Sequence, residues 1–317
     1  MISGGRAASR LRVTAVAVLG WCAVACAGDA DHSNGPVSPP PAPVYDAAAW
    51  VSATDGTIPV VIVAPHGGDL NPDSLPLRDC SGCVTGNDLN TQALAQEVAA
   101  AFERRIGARP FVVVNRLHRS RFDGNRDKTE ATDGYAPLYP VWEYWQAAID
   151  SARVRAARVH PRAIVIDLHG HGHAIQRLEL GYLLSAANLR LSDDGLLAHI
   201  GNSSVAQLHD LKAAGDTGAM LLRGPRALGS RLAALGVAAV PSDVTPAPLV
   251  GEEYFDGGYN TQRHGSRDGG AVDAIQIECN YTGIRDSAEN REAFAENLVT
   301  ALLGMLEDYY GWTPGAP

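Results

Sequence analysis

At 317 residues the chain is long enough to bury a large core, as one α/β domain or as two smaller ones. Its 33 Gly and 19 Pro are aperiodic, which excludes a fibrous chain. A formal net charge of −9, with no Lys/Arg block interleaved with aromatics, disfavours DNA or RNA as a partner.

The first 26 residues stand apart. Arg6, Arg10 and Arg12 precede the apolar run Val13–Ala25, and no acidic residue interrupts the segment. A basic region followed by an apolar run too short for a membrane span reads as a signal peptide, so residues 1–26 are expected to direct export. The run ends in AVAC at Ala23–Cys26, similar to a bacterial lipobox with Ala23 in place of the usual Leu. Cleavage there would leave a lipid anchor on Cys26; simple secretion is the alternative, and the expected location is secreted, periplasmic or cell-envelope. Removing the segment takes the formal charge from −9 to −12. Residues 27–46 are Pro-rich and polar and are expected to be a disordered tether, and residues 47–317 are expected to form a single catalytic domain.

Within that domain Ile58–Ala64 reads as a strand, followed at once by Pro65-His66-Gly67-Gly68-Asp69. A polar loop carries Cys80 and Cys83, for which a local disulfide is the expectation in an exported protein; a redox CxxC is the alternative. Apolar spacing predicts a helix over Asp88–Arg105, with Leu94, Val98, Ala101 and Phe102 on one face. Phe111–Asn115 is a strand leading into a polar, Arg-rich loop. Tyr139–Val159 reads as a helix, Ala163–Leu168 as a strand and Gly181–Ser185 as another. A helix over Arg226–Leu235 precedes a short strand, Ala238–Val240. Residues 252–273 read as a long Gly-rich loop, Ala274–Cys279 as a strand and Glu289–Tyr310 as a closing helix. Continuous apolar strands alternating with helices predict a three-layer α/β/α domain with a mostly parallel or mixed sheet. Ligands of such sheets bind beyond the carboxyl ends of the strands.

The chemistry-bearing residues fall there. His66 and Asp69 follow the first strand, His169 closes the strand Ala163–Leu168, and Glu278 lies in the last strand on the side opposite Ile277 and Cys279. Two His and one carboxylate suffice to hold a catalytic zinc with an open position for water. A second, non-ligating carboxylate can then serve as base. His66, Asp69 and His169 are the candidate zinc ligands, and Glu278 is the candidate base. Singly, His66 is also consistent with a turn residue and Glu278 with a salt bridge. The loop after the second strand supplies Arg119, Arg121, Asn125 and Arg126, of a kind that binds a carboxylate or a developing oxyanion; neutralisation by Asp123, Asp127 and Glu130 on a solvated surface is the alternative. Arg263 and His264, in the Gly-rich loop, are lower-ranked candidates for reaching over the site. His171 either faces substrate or is a loop histidine, and Asp167 is a candidate to orient a ligating histidine. There is no GxSxG, HExxH or phosphate-binding Gly loop.

PHGG at 65–68, VVVNR and FDGNRD within 112–127, DLHGH at 167–171, GGYNTQRHG at 257–265 and AIQIE at 274–278 together resemble the N-formylglutamate amidohydrolase family. They are more remotely similar to zinc carboxypeptidases. The resemblance spans about residues 57–310. It implies a zinc-exopeptidase-like (phosphorylase/hydrolase-like) fold and a zinc-dependent hydrolase. Glu278 matches the catalytic base-acid, Asn125 and Arg126 the pair that holds a substrate carboxylate, and Arg119 or Arg121 the residue that polarises the carbonyl. Asp69 stands where carboxypeptidases have Glu. The expected reaction is cleavage of the amide bond of an N-acyl amino acid with a free carboxylate. A carboxypeptidase-like peptidase acting on short peptides is the second reading, and a non-catalytic exported binding protein the contrasting class.

Overall fold

A computed structural model describes residues 44–210 and 218–315 of the chain. The expected export segment and nearly all of the tether therefore lie outside the described residues. The tether's last residues are described: the Tyr45 hydroxyl donates to the Ser74 carbonyl, and Asp46 caps a short helix, Ala47–Trp50. No described helix is long and apolar enough to cross a membrane.

Seven strands make one sheet: β1 (Val51–Thr54), β2 (Val60–Ala64), β3 (Phe111–Asn115), β4 (Ala163–Gly170), β5 (Leu178–Gly181), β6 (Ala239–Val240) and β7 (Val272–Cys279). Their order is β1-β3-β2-β4-β7-β5-β6. The central strands β3, β2, β4 and β7 are parallel, whereas β1 joins β3, and β5 joins β7, in the antiparallel sense. The sheet is thus mixed. Among the helices are α1 (Thr91–Ile106), α2 (Tyr139–Val159), α3 (Leu228–Ala234), α4 (Tyr259–His264) and α5 (Ala288–Met305).

Period-2 alternation divides the core into two layers. Ile62, Ile166 and Ile277 pack with Leu94 and Val98 of α1 and Leu298 of α5, while Val63, Val165 and Ala274 pack with Trp145 and Ile149 of α2. Helices therefore cover both faces of the sheet. Each fully buried aliphatic side chain contributes roughly 1.5–3 kcal/mol of transfer free energy.

Some boundaries differ from expectation for local reasons. Asn90 adopts a left-handed conformation (φ 69°) immediately before α1, so the helix starts at Thr91 and Asp88 belongs to the preceding loop. The strand expected over Gly181–Ser185 lies earlier, at Leu178–Gly181, because Leu183 is left-handed (φ 63°) and breaks the extension. The Gly-rich segment contains the short helix α4, and β7 begins two residues ahead of the expected strand. Past Met305 the closing helix widens into a turn over Leu306–Tyr310. Strand β1 was not anticipated; it is an edge strand whose middle residues are exposed.

The useful asymmetry lies on the α2 side of the sheet. Along β4 the residues facing that side run Ala163, Val165, Asp167, His169; along β7 they run Val272, Ala274, Gln276, Glu278. Both strands turn from apolar to polar at their carboxyl ends. Register pairs Asp167 with Gln276 and His169 with Glu278. The chain leaves β2 toward β3 on one side and leaves the adjacent β4 toward β5 on the other, so a crevice opens at the ends of β2 and β4, where α/β sheets bind ligands.

Candidate metal centre

His66 lies just past the end of β2. The Asn115 side chain, closing β3, donates to the Pro65 carbonyl at 2.7 Å and accepts from Leu117 N at 3.0 Å, tying the two strand ends together. The His66 carbonyl accepts from Asp88 N at 3.1 Å, and this bond brings a residue 22 positions downstream back to the histidine. Thr91 in turn donates to the Asp88 carbonyl through its side chain at 2.9 Å.

His66, Asp88 and His169 converge. Nδ1 of each histidine is 3.2 Å from the same Asp88 oxygen, Oδ2, and one ligand atom from each residue lies within 4.8 Å of the others. The imidazole rings meet edge to face with centroids 4.8 Å apart. The opposite ring nitrogen is held in both cases: His66 Nε2 by Asp123 Oδ1 at 2.6 Å and His169 Nε2 by Asp167 Oδ2 at 3.0 Å. A carboxylate behind each imidazole fixes the Nε2–H tautomer and turns the Nδ1 lone pair inward, as outer carboxylates do for metal-bound histidines. Asp167 is fully buried, and its other oxygen has no hydrogen-bond partner. The donor set of two imidazoles and a carboxylate fits a catalytic zinc.

The electrostatics follow from this crowding. Burial works against the Asp88 carboxylate, yet the two histidines hold it well below the usual range. Burial likewise disfavours protonated His169, but Asp167, Asp88 and Glu278 outweigh it and hold the imidazole well above its ordinary value. The cluster therefore attracts positive charge. Glu278, 6% exposed, sits with Oε1 3.9 Å from His169 Nδ1 and 3.0 Å from the Gln276 amide that donates to it. Burial pushes it up to about 8 against the pull of His169, with Asp88 and Glu179 adding to the rise.

Asp69 requires a correction. It is exposed and lines a separate depression with Gly67, Asn87 and Arg116, not the cavity that His66 and His169 line. The turn at Gly67–Gly68 diverts the chain: a Cβ on Gly68 would lie 2.3 Å from the Arg116 backbone, so the chain presses against the end of β3 there. Asp88 takes the place expected of Asp69. Nothing in the sequence spacing marked it, since an acid ahead of a helix reads as a cap. Asp123 was likewise read as a neutraliser of nearby Arg; it pairs with Arg119, but it also orients His66.

The arginines separate. Arg119 donates through Nε to Asp123 at 3.1 Å and through Nη1 to Asp88 at 3.3 Å, and it lines the cavity over the cluster. Arg121, a candidate for the same role, is spent on Asn71 and the Leu75 carbonyl and does not line that cavity. Asn125 and Arg126 both line it, as do Phe255, Gly258 and Glu278. Asn125 accepts from Asn260 N at 2.8 Å, and a Cβ on Gly258 would lie 2.3 Å from Asn125 Nδ2. Arg263 and His264 do not reach over the site. Arg263 pairs with Asp150 at 2.9 Å, and His264, buried under α2, bonds Gln146 at 2.8 Å. His171 is buried outside the cavity lining, its Nε2 donating to the Arg177 carbonyl at 2.8 Å. Cys80 and Cys83 are joined as a disulfide, and Val84 beside them forms part of the cavity wall. The cavity is small, about 160 Å³.

No protein-family model matches the chain, and no curated protein matches it in sequence. Its fold is remotely similar to those of several solved proteins. One is a gene product of Agrobacterium tumefaciens, with 14% identity over 80% of this chain and 94% of that one and a TM-score of 0.48. Another is N-formylglutamate amidohydrolase from Ralstonia eutropha JMP134, with 13% identity over 83% of this chain and 98% of that one and a TM-score of 0.46. A third is the N-acetylmuramyl-L-alanine amidase Ami1 from Mycobacterium smegmatis, with 13% identity over 78% of this chain and 96% of that one and a TM-score of 0.33. These likenesses are too distant to carry a functional assignment.

Proposed function

We propose that the chain is a zinc-dependent hydrolase of an amide bond in a small N-acyl amino acid bearing a free carboxylate. The observation that carries this reading is the approach of His66 Nδ1 and His169 Nδ1 to one Asp88 oxygen, each at 3.2 Å, with Glu278 at the edge of the same cluster. A divalent cation held by these three residues supplies Lewis acidity to a carbonyl and lowers the pKa of water.

The protein's own groups do the rest. Glu278, with Oε1 3.9 Å from His169 Nδ1 at the edge of the cluster, takes a proton from the attacking water as its carboxylate and returns it to the leaving nitrogen. Gln276 fixes one of its oxygens. Arg119 places positive charge at the cavity wall, where the carbonyl oxygen gains negative charge in the transition state. Arg126, at the rim with its side chain 38% exposed, and Asn125 receive the substrate carboxylate. The reading of residues 1–26 as a signal peptide supports an exported enzyme acting on an N-acyl amino acid or short peptide outside the cytoplasm.

A second reading, hydrolysis of short peptides, is favoured by one observation. Arg126 lines the cavity and also the two depressions beside it, of about 400 and 490 Å³, into which a longer chain would run.

The test is metal analysis of the purified protein, coupled to a screen of N-acyl amino acids, their carboxamide counterparts and short peptides. The expected outcome is stoichiometric zinc and turnover of free-carboxylate substrates, with Arg126→Ala raising KM for them and sparing their carboxamides. Absence of both metal and turnover, with ligand recovered unaltered, would identify a binding protein instead.

A further inference from the structure

A second cluster lies beyond Glu278 on the same face of the sheet. Glu278 of β7 is the cross-strand partner of His169 on one side and of Glu179 of β5 on the other. Directly opposed side chains on one face stand about 4.5–5.5 Å apart at Cβ. Glu179 is fully buried, and His171 and His173 close over it from the loop after β4, so that one ligand atom from each of the three lies within 4.8 Å of the others.

The second cluster shares with the first an imidazole Nδ1 against a buried carboxylate and a second imidazole held from behind. His173 Nδ1 is 2.8 Å from Glu179 Oε1. His171 Nε2 donates to the Arg177 carbonyl at 2.8 Å, which fixes the tautomer and leaves the Nδ1 lone pair on the side of His173, where it accepts from His173 N at 3.1 Å. The backbone of His171 is pinned on both sides, its N donating to the Cys279 carbonyl at 3.1 Å and its carbonyl accepting from Arg285 at 3.3 Å. Glu179 Oε2 accepts from Phe255 N at 2.8 Å, so this ligand too is oriented from outside.

Charge supplies the second reason. Among the described residues the only ion pair of Glu179 is with His173; nearby Arg177 is turned to Glu252 at 2.8 Å. A fully buried carboxylate without Lys or Arg is costly unless a cation joins it. A divalent ion held beside Glu179 supplies that charge. The His173 side chain is 13% exposed, so the cluster can be reached from solvent.

We infer that His171, His173 and Glu179 form a second binding site for zinc or a similar divalent cation, distinct from the His66–Asp88–His169 centre. His171 would bind through Nδ1, replacing its contact with the His173 amide, and His173 through Nδ1, while Glu179 supplies the negative charge. Two imidazoles and one carboxylate leave an open coordination position.

The experiment is a zinc titration of tag-free, chelator-treated full-length protein, with bound metal read by elemental analysis after gel filtration. The variants are His66→Ala and His173→Ala, with His173→Gln as substitute should His173→Ala fail to fold. The site predicts two zinc ions in the parent protein and one in each variant. One ion in the parent that is lost in His66→Ala and kept in His173→Ala would overturn this second site and leave the first intact. Two ions retained in His173→Ala would also overturn it, since the second ion would then be elsewhere. No ion in the parent protein would overturn both sites.

Discussion

Replacing Glu278 by Gln tests whether a buried, uncompensated carboxylate stands beside the metal ligands. Burial pushes this group from 4.5 up to about 8 in the folded chain, against the pull of His169. The folded state then binds the proton more tightly than the unfolded state, so stability is lost as pH rises from the unfolded value toward the folded one. At about 1.4 kcal/mol per pH unit, the loss reaches roughly 3 kcal/mol by pH 7 but only about 1 kcal/mol at pH 5. Glu278→Gln removes the ionisation and keeps the shape. In the chelator-treated protein the variant should therefore gain about 2 kcal/mol relative to the parent between pH 5 and pH 7, roughly 4–8 °C in Tm for a domain of this size. With zinc restored, the variant should keep its metal and lose about 10²-fold or more in rate. The assays are thermal melts at the two pH values and turnover of a substrate found by the screen. An unchanged Tm difference between pH 5 and pH 7, together with full activity in the variant, would refute the assignment.

Three further outcomes follow from the same geometry. Asp123→Asn weakens the anchor at 2.6 Å behind His66 and should reduce zinc affinity about 10–100-fold without abolishing it, measured by competition with a chelating dye. Asp167→Asn should act similarly through His169, whose Nε2 it holds at 3.0 Å. Gly258→Ala introduces a Cβ 2.3 Å from Asn125 Nδ2, displacing that side chain; KM for carboxylate substrates should rise while bound zinc is unchanged.

Much of the architecture was legible because it rests on local periodicity. Strand β2 and the first four residues of the parallel β3 are uninterrupted apolar runs, and in β4 the change from apolar to polar along Ala163, Val165, Asp167 and His169 announces a strand end that faces a site. Glu278 was recoverable by the same alternation. Asp88 was not. Its place depends on a backbone bond to His66 and on the left-handed Asn90, which sets the start of α1; neither leaves a spacing signature. Asp69 misled because closeness in sequence stood in for closeness in space, whereas the Gly67–Gly68 turn carries it to another surface. The arginines could not be ranked either. Arg119 and Arg121 are two residues apart, yet one meets Asp88 and Asp123 while the other is consumed by Asn71 and Leu75. Likewise His264 reads as a loop residue able to reach over the site until α4 folds it against Gln146 of α2.

Asp88 closes the candidate metal centre with His66 and His169. Zinc titration of Asp88→Asn and Asp69→Asn, side by side, tests it most directly. Asp69→Asn should bind as the parent does, whereas Asp88→Asn should lose the tight equivalent that His66→Ala also loses. Parent-like binding in Asp88→Asn, or loss of that equivalent in Asp69→Asn, would contradict it.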